Sequence, residues 1–391
     1  MKKILYITTI AGFLPQFEMS DVKIMQSLGY EVHYASNFNV IVYNFDQADL
    51  IKQGIILHHI DIVKSPLGIR NNYKAIKQLK EIIDSENINI IHCHNPMGGA
   101  DGRLAARFSH GNPYVMYTAH GFHFYEGAPL LNWMVYYPAE KFFSRMTDKI
   151  ITINDEDFNR AMAFPTRKRK SAVRIHGVGV NKDKFRPNHF ISNEKREEIN
   201  VPKDAFHIVT AAELNDNKNQ KVIIEAIHNI ADKNIYYSMC GKGPSEGNLR
   251  ELIDRYGLSD RVRLLGYRND MEEILQTADC FAFPSKREGL GVAAIEALLC
   301  GVPLVAADNR GTREYVCNFE NGIMCKPDCV GDYEQAILRM INDKAMRQQM
   351  SGIARKSAKK FCLEEVSKVM VRVYNEAAME ADRRESKKIS E

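Results

Sequence analysis

The sequence predicts an α/β protein of two successive doubly wound halves, each a parallel sheet covered by helices on both faces. Three observations carry this. Short β-rich runs alternate with helical stretches through the first half. The alternation pauses at "VRIHGVGVNKDKFRPNHF", where Gly177, Gly179 and Pro187 break periodicity, and then restarts. The length of 391 residues exceeds what one ordinary core accommodates and agrees with two domains.

In chain order, "KILYIT", "EVHYAS", "IILHHI", "INIIHCH", "YVMYTAH" and "DKIITIN" read as strands. "DVKIMQSLG", "NYKAIKQLKEIIDSEN" and "GADGRLAARFS" read as helices between them. The domain boundary is placed near residue 190. Beyond it come "HIVTAAE", "KVIIEAIHNI", "IYYSMCG", "NLRELIDRYG", "VRLLGY", "DMEEILQTA", "CFAFPS", a helix after Gly291, and "PLVAAD". The organisation expected is an N-terminal domain over 1–190 and a second over 191–365. A C-terminal helix over 366–391 packs back toward the first domain, its polar end "ADRRESKKISE" frayed. In doubly wound folds ligands bind beyond the carboxyl ends of the strands, here in the cleft between the halves.

Hydrophobic residues make up 45% and charged residues 26%, the composition of a folded soluble protein. A net charge of +4 over this length gives no indication of a nucleic-acid partner. Eight cysteines occur without a CxxC pair, mostly inside apolar runs, and read as reduced, buried thiols of a cytosolic chain rather than a zinc site. "MKKILYITTIAGFL" lacks a small-residue cleavage site and is rich in β-formers, so it reads as a first buried strand. No segment has the eighteen or more consecutive apolar residues of a spanning helix.

The stretch that carries chemistry is "SKREGLGVAAIEALLCGVPLVAADNRGTREYV", residues 285–316. A strand, "CFAFPS", enters a turn with Gly289 and Gly291, followed by a helix that stops at Gly301 with Pro303 beyond. The glycines let backbone amides approach an anion, and the first turn of the helix favours phosphate there. Glu296, one turn in, is placed to accept hydrogen bonds from a diol beside that phosphate. Glu288, before the turn, faces whatever hangs beyond it. Ribose diol, diphosphate and sugar come in that order in a nucleotide diphospho-sugar. The alternative is a structural turn with two surface carboxylates; the agreement of glycine turn, helix start and both acids favours the ligand site.

This segment resembles the signature of the retaining glycosyltransferases of family 4, with Glu288, Glu296, Gly301–Pro303 and Gly311–Glu314 at the matching positions. The resemblance extends over nearly the whole chain and implies the GT-B fold, two Rossmann-like domains facing across a cleft. It further implies that Glu296 holds the ribose hydroxyls, that amides of Gly289, Leu290, Gly291 and Val292 bind the diphosphate, and that Glu288 meets the donor sugar. "CGKGPSEGNL" is similar to the family's turn near the nucleotide, which brings in Gly241, and "GYRNDM" to its base-binding strand end, with Tyr267 and Arg268 flanking the base. Lys218 in "AAELNDNKNQ" matches a phosphate-binding lysine. Glu213 stands where the family usually has arginine; a second carboxylate near a diphosphate is unfavourable unless it turns away or pairs with a cation, and Lys218 is the partner expected in the empty site.

In the first half, "YTAHGFHFYEGAP" places His120 after a strand, and the resemblance gives it contact with the donor sugar and diphosphate. His123, Tyr125 and Glu126 are assigned to an acceptor pocket together with Asn95; for His123 a hydrogen-bonded loop role stays equally open. Gly12 in "TTIAGFLPQ" stands where the family often has two glycines. A metal held by His92, His94 and His120 is disfavoured, because no carboxylate cluster accompanies them and the family handles the diphosphate without metal. "LLNWMVYYPAEKFFSRM" and "TRKRK" at 166–170 read in two ways, as aromatics and cations on an anionic membrane surface or as a core-packed helix and a solvated basic loop.

The reading is a cytoplasmic, peripheral-membrane, retaining glycosyltransferase that needs no metal or other cofactor. It moves a sugar, of N-acetylhexosamine type, from a UDP-sugar to a polyprenyl-diphosphate-linked saccharide of a bacterial capsule or exopolysaccharide, whose pathway enzymes "HGFHFYEGAP" resembles. Two rivals are a UDP-sugar 2-epimerase of the same architecture and a non-catalytic UDP-sugar-binding scaffold.

Overall fold

A computed structural model describes the chain except residues 41, 44, 170, 189–191, 231, 233 and 391, and the side chains of 388–390. The chain divides into two compact units: Met1–Val178 with Glu364–Glu391, and Gly179–Leu363. The expected boundary at 190, like Lys170 of the basic run, lies outside the described residues.

The first unit is built on seven parallel strands: β1 (Lys3–Ile7), β2 (Glu31–Ser36), β3 (Ile55–His59), β4 (Ile90–His94), β5 (Tyr114–Ala119), β6 (Lys149–Thr152) and β7 (Ala172–Arg174). They lie in the order β3-β2-β1-β4-β5-β6-β7. β4 and β5 are buried along their whole length, as expected of central strands covered on both faces. The second unit has six: β8 (Phe206–Ala211), β9 (Ile235–Cys240), β10 (Val262–Gly266), β11 (Cys280–Phe283), β12 (Leu304–Ala307) and β13 (Gly322–Cys325), in the order β10-β9-β8-β11-β12-β13. Both sheets reverse direction beside their first strand, between β1 and β4 and between β8 and β11, which is the doubly wound switch point. All eight cysteines are free.

The C-terminal helix Leu363–Ser390 belongs, from Glu364 on, to the first unit. It buries Val366, Met370, Val373, Tyr374, Ala377 and Ala381, a stripe at helical spacing. The helix runs to Ser390, and within it Arg384 is anchored, donating to the Pro113 carbonyl at 2.9 Å and to Asp148 Oδ1 at 2.5 Å. Asp148 is fully buried and also accepts from Val115 N at 2.9 Å and Arg167 Nη1 at 3.1 Å.

Asp148→Ala strands two guanidinium groups and one amide around an apolar hole. The expected loss is about 3–5 kcal/mol of stability, read as a lowered midpoint in chemical denaturation. Arg384→Ala, which leaves Arg167 in place, is expected to cost less than half of that.

Candidate functional site

In the second unit the loops after β8 and β11 meet at the switch point. The loop after β8 carries Lys218, the loop after β11 carries Glu288, and Lys218 Nζ lies 2.5 Å from Glu288 Oε1. Backbone clips hold this meeting in place: Lys286 N donates to Asn217 O at 2.8 Å, and Asn217 Nδ2 donates to Arg287 O at 3.0 Å. Lys218 also sits over the Phe283 ring, 5.8 Å from its centroid. Glu213 does not pair with Lys218 as expected. It is exposed, its backbone carbonyl accepts from Gln220 Nε2, and Glu288 takes the lysine because the β11 loop is clipped directly against it.

The turn continues through buried Leu290 to Gly291, at φ +102°, a conformation that side chains rarely adopt. A Cβ at Gly291 would lie 2.6 Å from Phe283 Cε1 and 2.7 Å from the Tyr315 hydroxyl. The helix Val292–Leu299 starts here, so the amides of its first turn lie just beyond the turn that carries Glu288. Gly311 has its own reason: a Cβ there would meet Glu288 Cβ at 2.8 Å and Leu290 N at 3.0 Å. The loop after β12 is thus pressed against the Glu288–Leu290 turn, and Asn309 Nδ2 ties it to Ser285 O at 2.8 Å.

Glu296 is half-buried on that helix, and burial pushes its carboxyl up to about 7, with Lys184 opposing the shift. Gly241 serves packing: its Cβ would lie 1.9 Å from the Ala212 carbonyl, so this glycine is what lets the loops after β8 and β9 close on each other. Of the two expected base neighbours, Tyr267 is 53% exposed. The Arg268 guanidinium is held by Asp270 Oδ2 at 2.5 Å and Glu198 Oε1 at 2.6 Å. It is committed to carboxylates.

In the first unit β5 ends at Ala119 and delivers His120, whose ring packs edge-on against Phe13 at 4.9 Å. Its Nε2 faces His94 Nδ1 at 3.2 Å, and burial holds its pKa down at about 4, so the imidazole is neutral. Phe122 and Phe124 point into the core while His123 and Tyr125 alternate onto the other face. His123 lies against Tyr136 at 4.6 Å, and Glu126 donates its amide to Glu156 Oε1. Asn95, at φ +63°, starts the helix Pro96–Phe108 and accepts from Thr9 N at 3.2 Å; its side chain stitches the β1 and β4 loops together. Gly12 is covered by Tyr43, whose carbonyl would lie 2.5 Å from a Cβ there.

The histidine cluster differs from its expectation. His92 is not part of it, being engaged by the Tyr374 hydroxyl at 2.8 Å and Thr118 Oγ1 at 2.7 Å. A carboxylate does accompany the others. Glu18, from the segment after β1, places Oε1 3.5 Å from His94 Nδ1 and 3.9 Å from His120 Nε2. These three atoms are close enough to hold a metal ion. A second such group, Glu31, His33 and Glu86, already brackets Lys3 Nζ through its two carboxylates. Neither Glu18 nor the Tyr374 contact was anticipated. The available signal was the burial stripe itself, since Glu18, Asp21, Val22 and Met25 share one face at helical spacing.

On the helix Leu130–Ser144 the only tryptophan, Trp133, faces inward, its ring tilted against Phe124 at 5.7 Å and under Arg160 at 4.5 Å. For this residue the packing agrees with the core-packed one of the two readings. Leu130, Leu131 and Met134 are the outward residues, 74%, 67% and 66% exposed. In the basic run Arg167 is spent on Asp148, and Lys168 on Glu380 at 2.8 Å. Among the described residues no helix is long and apolar enough to cross a membrane.

Two family models match: glycosyl transferases group 1 over residues 191–357 and glycosyl transferase 4-like over residues 4–154. A protein of Bacillus subtilis (strain 168) described as a glycosyltransferase, EpsD, is 36% identical over 389 residues, covering 98% of this chain and 99% of its own length. An Escherichia coli UDP-Gal:alpha-D-GlcNAc-diphosphoundecaprenol alpha-1,3-galactosyltransferase is 26% identical, covering 72% of this chain and 73% of its own. The fold matches Anabaena Alr3699/HepE, crystallised in complex with UDP-glucose, at a TM-score of 0.78 and 17% identity, over 96% of this chain and 100% of that one.

Gly291→Ala forces a methyl against Phe283 and Tyr315 at a positive φ. It is expected to cost about 2–3 kcal/mol, read in chemical denaturation of the whole chain. The exposed Gly247→Ala, with nothing within 4 Å of its Cβ, is the control and is expected to be neutral or slightly stabilising.

Proposed function

The chain belongs to the family 4 glycosyltransferases of the GT-B fold, and from that premise we propose a specific reaction for it. It transfers a sugar from a UDP-sugar to a hydroxyl of a polyprenyl-diphosphate-linked saccharide, with retention and without a metal cofactor, in the synthesis of a bacterial exopolysaccharide or capsule. The observation that carries this reading is the Lys218–Glu288 pair beside the glycine-started helix at Val292. The printed names of the E. coli relative and of the Anabaena complex support a UDP-sugar donor, and the former a lipid-linked acceptor.

In this reading the donor exchanges partners with the pair. Its diphosphate takes Lys218 and the amides of Leu290, Gly291 and Val292, which frees the Glu288 carboxylate for hydroxyls of the sugar. Glu296 receives the ribose diol and Tyr267 covers the base. Lys218 and the helix start then stabilise the charge that grows on the departing diphosphate, so no metal is required for that task. One carboxylate at the sugar end suits attack from the face the diphosphate leaves. The acceptor oxygen bonds to the anomeric carbon as the carbon–phosphate-oxygen bond breaks, and the acceptor's proton passes to the leaving phosphate oxygen. His120, being neutral, contributes a hydrogen-bond donor rather than a charge. His123, Tyr125 and Glu126 are assigned to the acceptor. The exposed Leu130, Leu131 and Met134 are assigned to a lipid surface, where such an acceptor resides.

UDP release should appear with one member of a panel of UDP-hexoses and UDP-N-acetylhexosamines, and only when polyprenyl-diphosphate saccharides are supplied. Conversion of the donor without UDP release would instead identify an epimerase. UDP binding should tighten as pH rises from 6 to 8, relative to Glu296→Gln, because the diol requires the ionised carboxylate of a group that titrates at about 7. At pH 8 the variant is expected to bind UDP about tenfold more weakly, and parallel pH curves for the two proteins would remove Glu296 from the ribose site. Leu131→Ser with Met134→Ser should lower co-sedimentation with phosphatidylglycerol vesicles severalfold without changing UDP affinity; unchanged sedimentation would exclude this face.

A further inference from the structure

We propose that Tyr374, on the C-terminal helix, is a positioning residue for His120, acting through the buried carboxyl pair Asp21 and Glu18 and through His94. The proposal rests on His120 having the role assigned above, and goes beyond it by naming what holds His120 in one tautomer.

The chain of contacts starts at a hydroxyl whose capacity is filled. Tyr374 Oη donates to Asp21 Oδ2 at 2.9 Å, accepts from Tyr6 Oη at 3.0 Å, and faces His92 Nδ1 at 2.8 Å. One donor and two lone pairs are all a phenol has. His92 therefore donates from Nδ1 and accepts the Thr118 hydroxyl at Nε2, 2.7 Å away. Asp21 is hydrogen-bonded in turn to Glu18. Two buried carboxyl groups in such contact share a proton, because neither can ionise freely beside the other. Burial pushes Asp21 up to about 7 and Glu18 well above its usual range, while the Tyr374 bond pulls Asp21 back down.

The next step is set by what lacks a partner. Glu18 Oε1 and His94 Nε2 are both buried without a hydrogen bond. A neutral His94 carries one N–H. On Nε2 that proton is a buried donor facing nothing; on Nδ1 it points at Glu18 Oε1 and at His120 Nε2. The second arrangement makes His120 Nε2 an acceptor, so the single proton of the neutral His120 ring sits on Nδ1. The titratable groups around the carboxyl pair are Tyr6, His92, His94, His120 and Tyr374, and the carboxyl pair holds the only carboxylates among them. A metal at Glu18, His94 and His120 is the competing arrangement. It fits less well, because a ligating histidine normally donates its other ring N–H, and His94 Nε2 has no acceptor.

The test compares wild type with Tyr374→Phe and Glu18→Gln, with Val371→Ala on the exposed side of the same helix as a stability control. Ring nitrogen chemical shifts from histidine-labelled protein are read first, since they need no substrate. Wild-type His120 is expected as the Nδ1–H tautomer, and both network variants are expected to move it toward a mixture. In UDP-release assays Tyr374→Phe should lower kcat on the order of tenfold, far less than the ~10⁴ lost when a catalytic tautomer is inverted outright, with KM for the donor unchanged. The inflection of kcat near pH 7 should shift upward, since Asp21 has lost the bond that favoured its ionised form. His120 shifts that are the same in wild type and both variants would overturn the proposal. So would stoichiometric zinc or manganese in wild type that is lost in Glu18→Gln. If none of the proteins releases UDP, the assigned reaction has failed, and the nitrogen shifts alone still decide the network.

Discussion

The fold depends on a constraint at each sheet's switch point: where strand order reverses, no crossover helix roofs the carboxyl ends, and two loops from non-consecutive strands must meet. Between β8 and β11 the meeting is an ion pair, Lys218 with Glu288, reinforced by amide clips on either side. Between β1 and β4 it is a neutral stitch, Asn95 with Thr9. The difference has a chemical meaning. A charged pair holds its loops together while keeping both charges exchangeable, because a ligand that supplies an anion for the lysine releases a carboxylate at the same moment. A neutral stitch offers no such exchange and simply fixes the frame.

Glycine does most of the remaining work of bringing loops together, and at two positions the requirement is steric. Gly291 admits Phe283 and Tyr315, and Gly311 admits the turn that bears Glu288. The second glycine lies twenty-three residues downstream of that glutamate and never needs to touch a ligand. Its effect is to press one loop against another so that the carboxylate is held from behind. A motif read along the chain as a list of ligand contacts is thus partly a list of supports.

Much of this was legible in the sequence, for a physical reason. Strands covered on both faces must be apolar along their length, so β1, β4, β5, β8 and β11 announce themselves against helices with a 3.6 period. β7, three residues long, is too short for any period to register. Glu288, Glu296 and Lys218 stood out because glycine turns and a helix stop surround them. Glu18, Asp21 and Tyr374 did not, since a carboxylate on a helix reads as solvated unless its neighbours at three and four residues are seen to be buried. The partner that makes burial tolerable is more than three hundred residues away. The same limit hid the partners of Arg268, Trp133, Arg167 and Lys168, which only the fold supplies.

The two units therefore carry opposite electrostatic arrangements at their switch points. In the second unit, charge is kept available: a lysine and a glutamate neutralise each other at the mouth of a helix whose dipole already favours an anion. In the first unit, charge is suppressed. His92, His94 and His120 are all driven neutral by burial, and the carboxyl pair beside them retains its proton toward neutral pH. A neutral imidazole offers a hydrogen bond to a ligand without adding a charge. Holding such a cluster neutral leaves its hydrogen bonds, rather than its charges, to define which nitrogen faces the ligand. That places the decisive control of His120 in groups it does not touch, on a helix from the far end of the chain.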